Sequence, residues 1–258
     1  MEEAAPAVGV RLEGGAVRFG GRDALCGIDL ELGAGATAVV GANGAGKTTL
    51  LRVLATLIPP GGRLEIAGED VSTSRGLRAA RRQLGFLAAD PDFARGHTVE
   101  EAVTYGAWLH RMNGPERARA VDEALAAVGL EGRRRDRITA LSTGLRRRAF
   151  LAQAIVHRPS VLLLDEPTAA VDPEHRGSVR RLIEQSASLR TVVFSTHLAE
   201  DVRFAAADAI VLHQGRVAWS GPAADLLALG VDHASDEREG ELEAAIRTVA
   251  TPRTARAR

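Results

Sequence analysis

The chain has 258 residues, with 33 basic and 33 acidic side chains, so its formal charge is zero. That balance lacks the basic excess of a nucleic-acid-binding surface and argues against electrostatic attachment to lipid. Hydrophobic residues make up 45% and aromatics 3%, so the core of a chain this long is expected to be aliphatic.

In chain order, residues 8–12 and 25–32 alternate as short strands, punctuated by Gly14-Gly15 and Gly20-Gly21. Residues 37–40 form a compact buried strand that leads into a glycine-rich loop at 41–46 and an apolar helix at 48–55. Pro59-Pro60-Gly61-Gly62 stops that helix, and 63–71 reads as a hairpin-like piece turning at Gly68. Thr98 and Glu101 form a capping box for a helix reaching His110. Asn113-Gly114-Pro115 opens the next helix, which ends at Gly129. The charge run at 133–137 reads as a solvated connection, and a further helix runs from Ser142 to before Arg158-Pro159. Residues 161–164 have the aliphatic character of a central parallel strand. A helix at 173–189, a strand at 191–195 and a hairpin at 210–217 follow, and the basic tail at 251–258 is expected to fray. Strands alternating with helices imply an α/β fold with a mainly parallel sheet, into which the helical stretch 88–158 is inserted.

No apolar run approaches the roughly 18 residues needed to span a bilayer. The acidic start, Met1 to Ala4, lacks a signal peptide's basic region and apolar stretch. The lone Cys26 forms no internal disulfide and is expected to be a buried small hydrophobe. A soluble, cytosolic protein is the expectation.

Residues 41–48, from Gly41 through Asn43, Gly44, Ala45 and Gly46 to Lys47 and Thr48, fit G-x-x-x-x-G-K-[ST] between a strand and a helix. Glycines let backbone N–H groups approach phosphate oxygens, and the helix N-terminus adds unpaired donors and a positive dipole end. Every basic residue but one is Arg, and the exception is Lys47. A compact ammonium on the β- and γ-phosphates is a place where Arg does not substitute well. Thr48 offers a hydroxyl to Mg²⁺, with Thr49 beside it. The motif points to a nucleoside triphosphate.

Asp165-Glu166 follows the aliphatic strand, at the strand end where α/β sheets bind ligands. Asp165 suits Mg²⁺, and Glu166 suits polarising an attacking water. His197, past the strand at 191–195, suits the γ-phosphate or that water. The other six histidines show no metal-ligand spacing.

The discriminating segment is Leu141-Ser142-Thr143-Gly144-Leu145, opening a helix before the carboxylate strand. It resembles the LSGGQ signature of ATP-binding cassette (ABC) ATPases. Asp165 to Thr168 resembles that family's Walker B, Ala170-Val171-Asp172-Pro173 its D-loop, and Ser195-Thr196-His197 its switch histidine. Phe19 stands where the family stacks an aromatic on adenine. The resemblance spans about residues 8–220. It implies a P-loop NTPase core, an N-terminal antiparallel β subdomain and an inserted α-helical subdomain, with a cassette at 6–222 and a short helical C-terminal extension at 223–258. It implies ATP and Mg²⁺ as cofactors, hydrolysis, and a nucleotide-sandwich homodimer or closely related heterodimer. In that pair Ser142, Gly144 and Asp172 serve the nucleotide of the second copy. The partner it implies is a membrane permease on a separate chain, holding this subunit on the cytosolic face of the membrane, with no nucleic acid involved.

Three positions depart from the family pattern. Ala89 stands where the family has a Gln that is a Mg²⁺ ligand and a link to the permease, and Asp90 is the nearest oxygen donor to replace it. Thr143 replaces the first signature glycine and Leu145 the signature Gln. The C-terminal segment Glu241 to Ile246 resembles the closing helix of exporter-type cassettes, so a transporter subunit powering export is the leading expectation. The alternatives are a regulatory subunit that barely hydrolyses ATP, suggested by Ala89 and the altered signature, and a non-transport ABC protein.

Overall fold

The computed structural model describes residues 9–91, 96–233 and 240–250. The expected cassette start at residue 6 and the basic tail at 251–258 lie outside the described residues.

Strand β1 (Val10–Phe19) is longer than its sequence alternation suggests. It runs through Gly14 and Gly15 and pairs antiparallel with β2 (Arg22–Leu32), with register shifts around Gly15. The glycine pair therefore acts as a bulge, not a stop. Cys26 is part-exposed, contrary to the expected burial. Leu25 takes an inward position of β2, so the next residue, Cys26, falls on the other face, and the positive φ of Gly27 shifts the alternation before Ile28 turns inward. After β3 (Gly35–Val40) and α1 (Lys47–Leu54), the strands β4 (Arg63–Ile66) and β5 (Glu69–Asp70) complete a four-stranded antiparallel sheet in the order β2-β1-β4-β5.

The sequence reading missed α2 (Ser74–Gln83). It buries only the small residues Gly76 and Ala80, with its arginines turned to the exposed face, and Thr73 caps it by accepting the Gly76 N–H at 2.9 Å. Strand β6 (Leu84–Leu87) then enters the second sheet. Helices α3 (Val99–Leu109), α4 (Gly114–Ala127) and α5 (Thr143–Ile155) come between it and β7 (Val161–Asp165). Both hydrogen bonds of the Thr98/Glu101 capping box are present. The charge run is more than a solvated connection. Arg134 makes two hydrogen bonds to Glu100 and reaches Asp122 at 2.8 Å, pinning α3 to α4.

Helix α6 (Pro173–Ala187), β8 (Thr191–Ser195), α7 (Ala199–Ala205), β9 (Asp208–His213), β10 (Arg216–Pro222), α8 (Ala223–His233) and α9 (Glu241–Ala250) follow. The second sheet has the order β10-β9-β3-β8-β7-β6 and is parallel except for β10. Its strands are buried on both faces. Val40, Leu162, Leu164 and Phe194 belong to one aliphatic cluster, and Val39, Val161, Leu163 and Val193 to the other. Register decides the function of this sheet. Val39 pairs with Ser195, and Ser195 pairs with Asp165. The carboxyl ends of β3, β7 and β8 therefore finish side by side, and the loops after them share one edge.

The helical insertion meets the sheet at a histidine pair. His157 stacks on His110 with ring centroids 3.4 Å apart, and its Nε2 lies 2.9 Å from the Leu84 carbonyl. Burial, then the neighbouring His110, pushes His157 down to about 4. A histidine depressed in this way favours the fold while neutral, so stability is full above the unfolded value near 6.5 and falls as pH drops towards 4. We predict that urea midpoints decline over that window, by up to about 3 kcal/mol of stability at about 1.4 kcal/mol per unit. A His157→Gln variant should flatten that part of the profile.

Candidate functional site

The phosphate loop follows β3 directly. Gly46 is the N-cap of α1 with φ of 110°, in the left-handed region that favours glycine. A Cβ there would lie 2.8 Å from the Ala24 carbonyl oxygen. The loop is propped from the second sheet, where the Gly215 N–H donates to the Ala45 carbonyl at 3.0 Å. This support from the β9–β10 turn had no signal in the loop motif. Lys47 is buried, and its Nζ donates to the carbonyls of Gly41 at 2.7 Å and Ala42 at 3.1 Å. Burial lowers its pKa, opposed by the carboxylates of Glu166 and then Asp165. Thr48 and Thr49 are half-buried in the first turn of α1.

Asp165 ends β7 and is 1% exposed. Ser195 Oγ donates to its Oδ1 at 2.6 Å, while its Oδ2 is buried with no hydrogen-bond partner among the described residues. A buried carboxylate oxygen in that state is rare and calls for an ion or water. The hydroxyl of Thr48 and the carboxylate of Asp165 are hard oxygen donors of the kind Mg²⁺ prefers, so the residues present fit that cation. Among the described residues no three His, Cys, Asp or Glu side chains group as a metal site. A cation held partly by phosphate oxygens and a threonine hydroxyl would not need such a group.

Glu166 has φ of 51°, an uncommon conformation for a residue with a Cβ. Its N–H donates to Ser195 Oγ at 2.9 Å. The turn it makes sends its carboxylate out of the sheet, with Oε1 4.0 Å from Nδ1 of the exposed His197. Glu166, His197, Gly41 and Asn43 line a cavity of about 880 Å³, within the range of small-molecule sites. Its opposite wall is α9, through residues that include Leu242, Ile246 and Arg247. The sequence reading gave α9 no place at the site, because its approach depends on packing. Arg203 of α7 holds Glu241 at the start of α9 through contacts of 2.5 and 2.6 Å.

The signature stands apart. Ser142 is exposed and caps α5, accepting the Leu145 N–H at 3.3 Å, and neither it nor Gly144 lines the cavity. Gly144 is fixed by close approach, since a Cβ there would lie 2.9 Å from the Ala170 carbonyl oxygen. Thr143 beside it is exposed, which is why that signature position accepts a Cβ. Asp172 is an exposed N-cap of α6 with no side-chain capping bond. Phe19 is 53% exposed at the end of β1 and outside the cavity lining, so it is a surface ring and not a core residue. Asp90 is exposed after β6, next to half-buried Ala89.

A buried network missed from the sequence locks the loops after β7 and β8 together. Asp201 is 0% exposed and accepts hydrogen bonds from Thr168 at 2.5 Å, Thr196 at 2.7 Å and Arg180 at 2.7 Å. Removing one member of a buried, hydrogen-bonded pair typically costs about 3–5 kcal/mol. Asp201→Ala is therefore expected to destabilise the fold by about 3 kcal/mol, read as a lower urea midpoint.

The family model described as ABC transporter matches residues 25–169. The nickel import ATP-binding protein NikO of Rhodobacter capsulatus is 39% identical, over 84% of this chain and 90% of its own length. The daunorubicin resistance ATP-binding protein DrrA3 of Streptomyces coeruleorubidus is 38% identical, over 85% of this chain and 70% of its own. The uncharacterized ABC transporter ATP-binding protein YxlF of Bacillus subtilis is 33% identical over 73% of this chain, and the match spans 62% of that relative's length. Among solved structures, an ATP-binding subunit of an ABC transporter superposes with a TM-score of 0.80 at 22% identity, covering 94% of this chain and 99% of that one. The cassette MJ0796, a dimer in a post-hydrolysis state bound to ADP and Pi, gives 0.76 at 25% identity, covering 83% and 98%. By that family model and those relatives, the chain belongs to the ATP-binding subunits of the ABC transporter family, a family of ATPases.

Proposed function

We propose that this chain binds and hydrolyses ATP as the motor subunit of an ABC transporter, pairing head-to-tail with a second cassette and driving a permease on a separate polypeptide. The observation that carries the reading is the division of the site. Gly41 and Asn43 at the start of the phosphate loop line one cavity with Glu166 and His197, while Ser142 at the N-terminus of the signature helix is exposed and stands outside that lining. In this reading one copy has a cradle and a base but no signature over its own nucleotide. A second copy would supply Ser142, Gly144 and Asp172, and the dimeric state of MJ0796 supports that arrangement.

In this reading the N–H groups from Gly44 to Lys47 cradle the phosphates, and Lys47 leaves its carbonyl partners for the β- and γ-phosphates. Thr48 and Asp165 would hold Mg²⁺, which would offset charge on the phosphate oxygens. Glu166 accepts a proton from the attacking water, His197 orients the γ-phosphate, and Phe19 offers its exposed ring to adenine. Asp90 takes the metal-side role that Ala89 cannot fill. No described helix is long and apolar enough to cross a membrane, and contact with the cytosolic face of the membrane would run through the permease. The exposed Tyr105–Trp108 stack on α3, with centroids 5.8 Å apart, gives that subunit an apolar surface to meet. Export is the finer reading, resting on the resemblance of α9 to the closing helix of exporter-type cassettes. The likeness to NikO, an import subunit, argues the other way.

Steady-state ATPase of the purified chain tests the reading. Glu166→Gln should lower kcat by about 100-fold or more, within the usual range for loss of general-base catalysis. Lys47→Arg should impair turnover despite keeping the charge. Turnover no higher in the parent than in Glu166→Gln would overturn hydrolysis and favour a regulatory nucleotide-binding subunit. Asp90→Ala should raise the Mg²⁺ concentration needed for half-maximal activity, and an unchanged Mg²⁺ dependence would remove Asp90 from the metal side.

A further inference from the structure

Arg147 lies in α5, two residues past the signature, and its residue surface is only 7% exposed. Its Nη1 donates to the Ala89 carbonyl at 2.8 Å, and its Nη2 donates to the Asp165 carbonyl. Its Nε is buried and has no hydrogen-bond partner among the described residues. Burying a guanidinium costs several kcal/mol unless compensated. Here the compensation comes from two backbone carbonyls and from the charges of Glu166, Asp165 and Asp90, which favour its charged form against the stronger effect of burial.

The position of the Asp165 carbonyl matters. It belongs to the same peptide group as the Glu166 N–H, and that N–H donates to Ser195 Oγ. This one peptide plane is therefore gripped at both ends, by Arg147 on its oxygen and by Ser195 on its nitrogen. The plane leads into the positive φ of Glu166, which aims the carboxylate out of the sheet. A rotation of the plane would swing Glu166 away from the cavity and disturb Asp165 as well.

We propose that Arg147 is a positioning residue for hydrolysis: it holds the Asp165–Glu166 peptide in the orientation that aims Glu166, and it ties that orientation to the Ala89–Asp90 segment and the signature helix. The family's Gln link is absent at Ala89, but the backbone of that same position is tied to the carboxylates by a side chain from α5. Displacing the signature helix or the segment after β6 would then move the base directly. The proposal rests on the reading of Glu166 as the base.

The test uses the full chain with Arg147→Lys and Arg147→Gln. In Arg147→Gln, kcat should fall by about 100-fold, the scale of loss when a reacting group is misplaced by about 1 Å. The affinity for ATP without Mg²⁺ should stay within about twofold of the parent, because the phosphate cradle is untouched. Without nucleotide, amide exchange should quicken in a peptide covering residues 164–168 and stay unchanged in the C-terminal half of α5. Arg147→Lys, keeping the charge with a shorter reach, should fall between the two. Parent-like kcat in Arg147→Gln, an equal loss of ATP affinity, or exchange raised throughout α5 would each overturn the proposal, the last two by showing a general structural role. A Glu166→Gln variant that keeps turnover would instead remove the base reading, and the exchange arm would still report whether Arg147 grips the peptide.

Discussion

Asp165 carries a carboxylate to the end of a strand whose other residues are aliphatic and fully buried. Such a charge is tolerated only where something replaces the solvation it lost. Ser195 on the neighbouring strand answers one oxygen, and the register of β7 against β8 puts that hydroxyl in place. The second oxygen has no hydrogen-bond partner among the described residues. Around this half-answered charge the site assembles: Lys47 feels it from the phosphate loop, Glu166 follows it out of the sheet, and Arg147 holds the peptide between the two carboxylates.

The sheet makes that arrangement possible by being parallel and buried on both faces. Strands β3, β7 and β8 are consecutive in space but far apart in sequence, so three separate loops meet at one edge. Two aliphatic clusters, one on each face, hold the strands in register. A slip of one residue would turn the side-chain pattern over and separate Ser195 from Asp165. The buried Asp201 network secures the loops themselves, joining Thr168 after β7 to Thr196 after β8 through a single carboxylate.

Legibility from the sequence followed the range of each interaction. The phosphate loop, the Thr98/Glu101 capping box and the aliphatic strand at 161–164 are set by neighbours within a few residues, and all three appear where the sequence places them. Helix α2 escaped because its inward face is built mainly of small residues, with a glycine and an alanine as the buried ones, and arginines dominate its composition. Cys26 was misjudged because a lone residue type says nothing about which face of a strand it takes. Asp201, Arg180 and Arg147 looked like ordinary surface charges. Their partners lie 5 to 58 residues away, and no local pattern announces them.

Taken alone, the sequence determined the family and most of the strands and helices, and it singled out Lys47, Asp165, Glu166 and His197 as candidate site residues. Those features depend on short-range spacing and on residue types with few physical substitutes, such as the only lysine in an arginine-rich chain. Tertiary structure alone decided that α9 walls the cavity, that Ser142 stands exposed outside it, and that one arginine donates to the peptide between the carboxylates. Each of these is a contact between segments distant in the chain, fixed by strand register and helix packing, and therefore absent from any local stretch of residues.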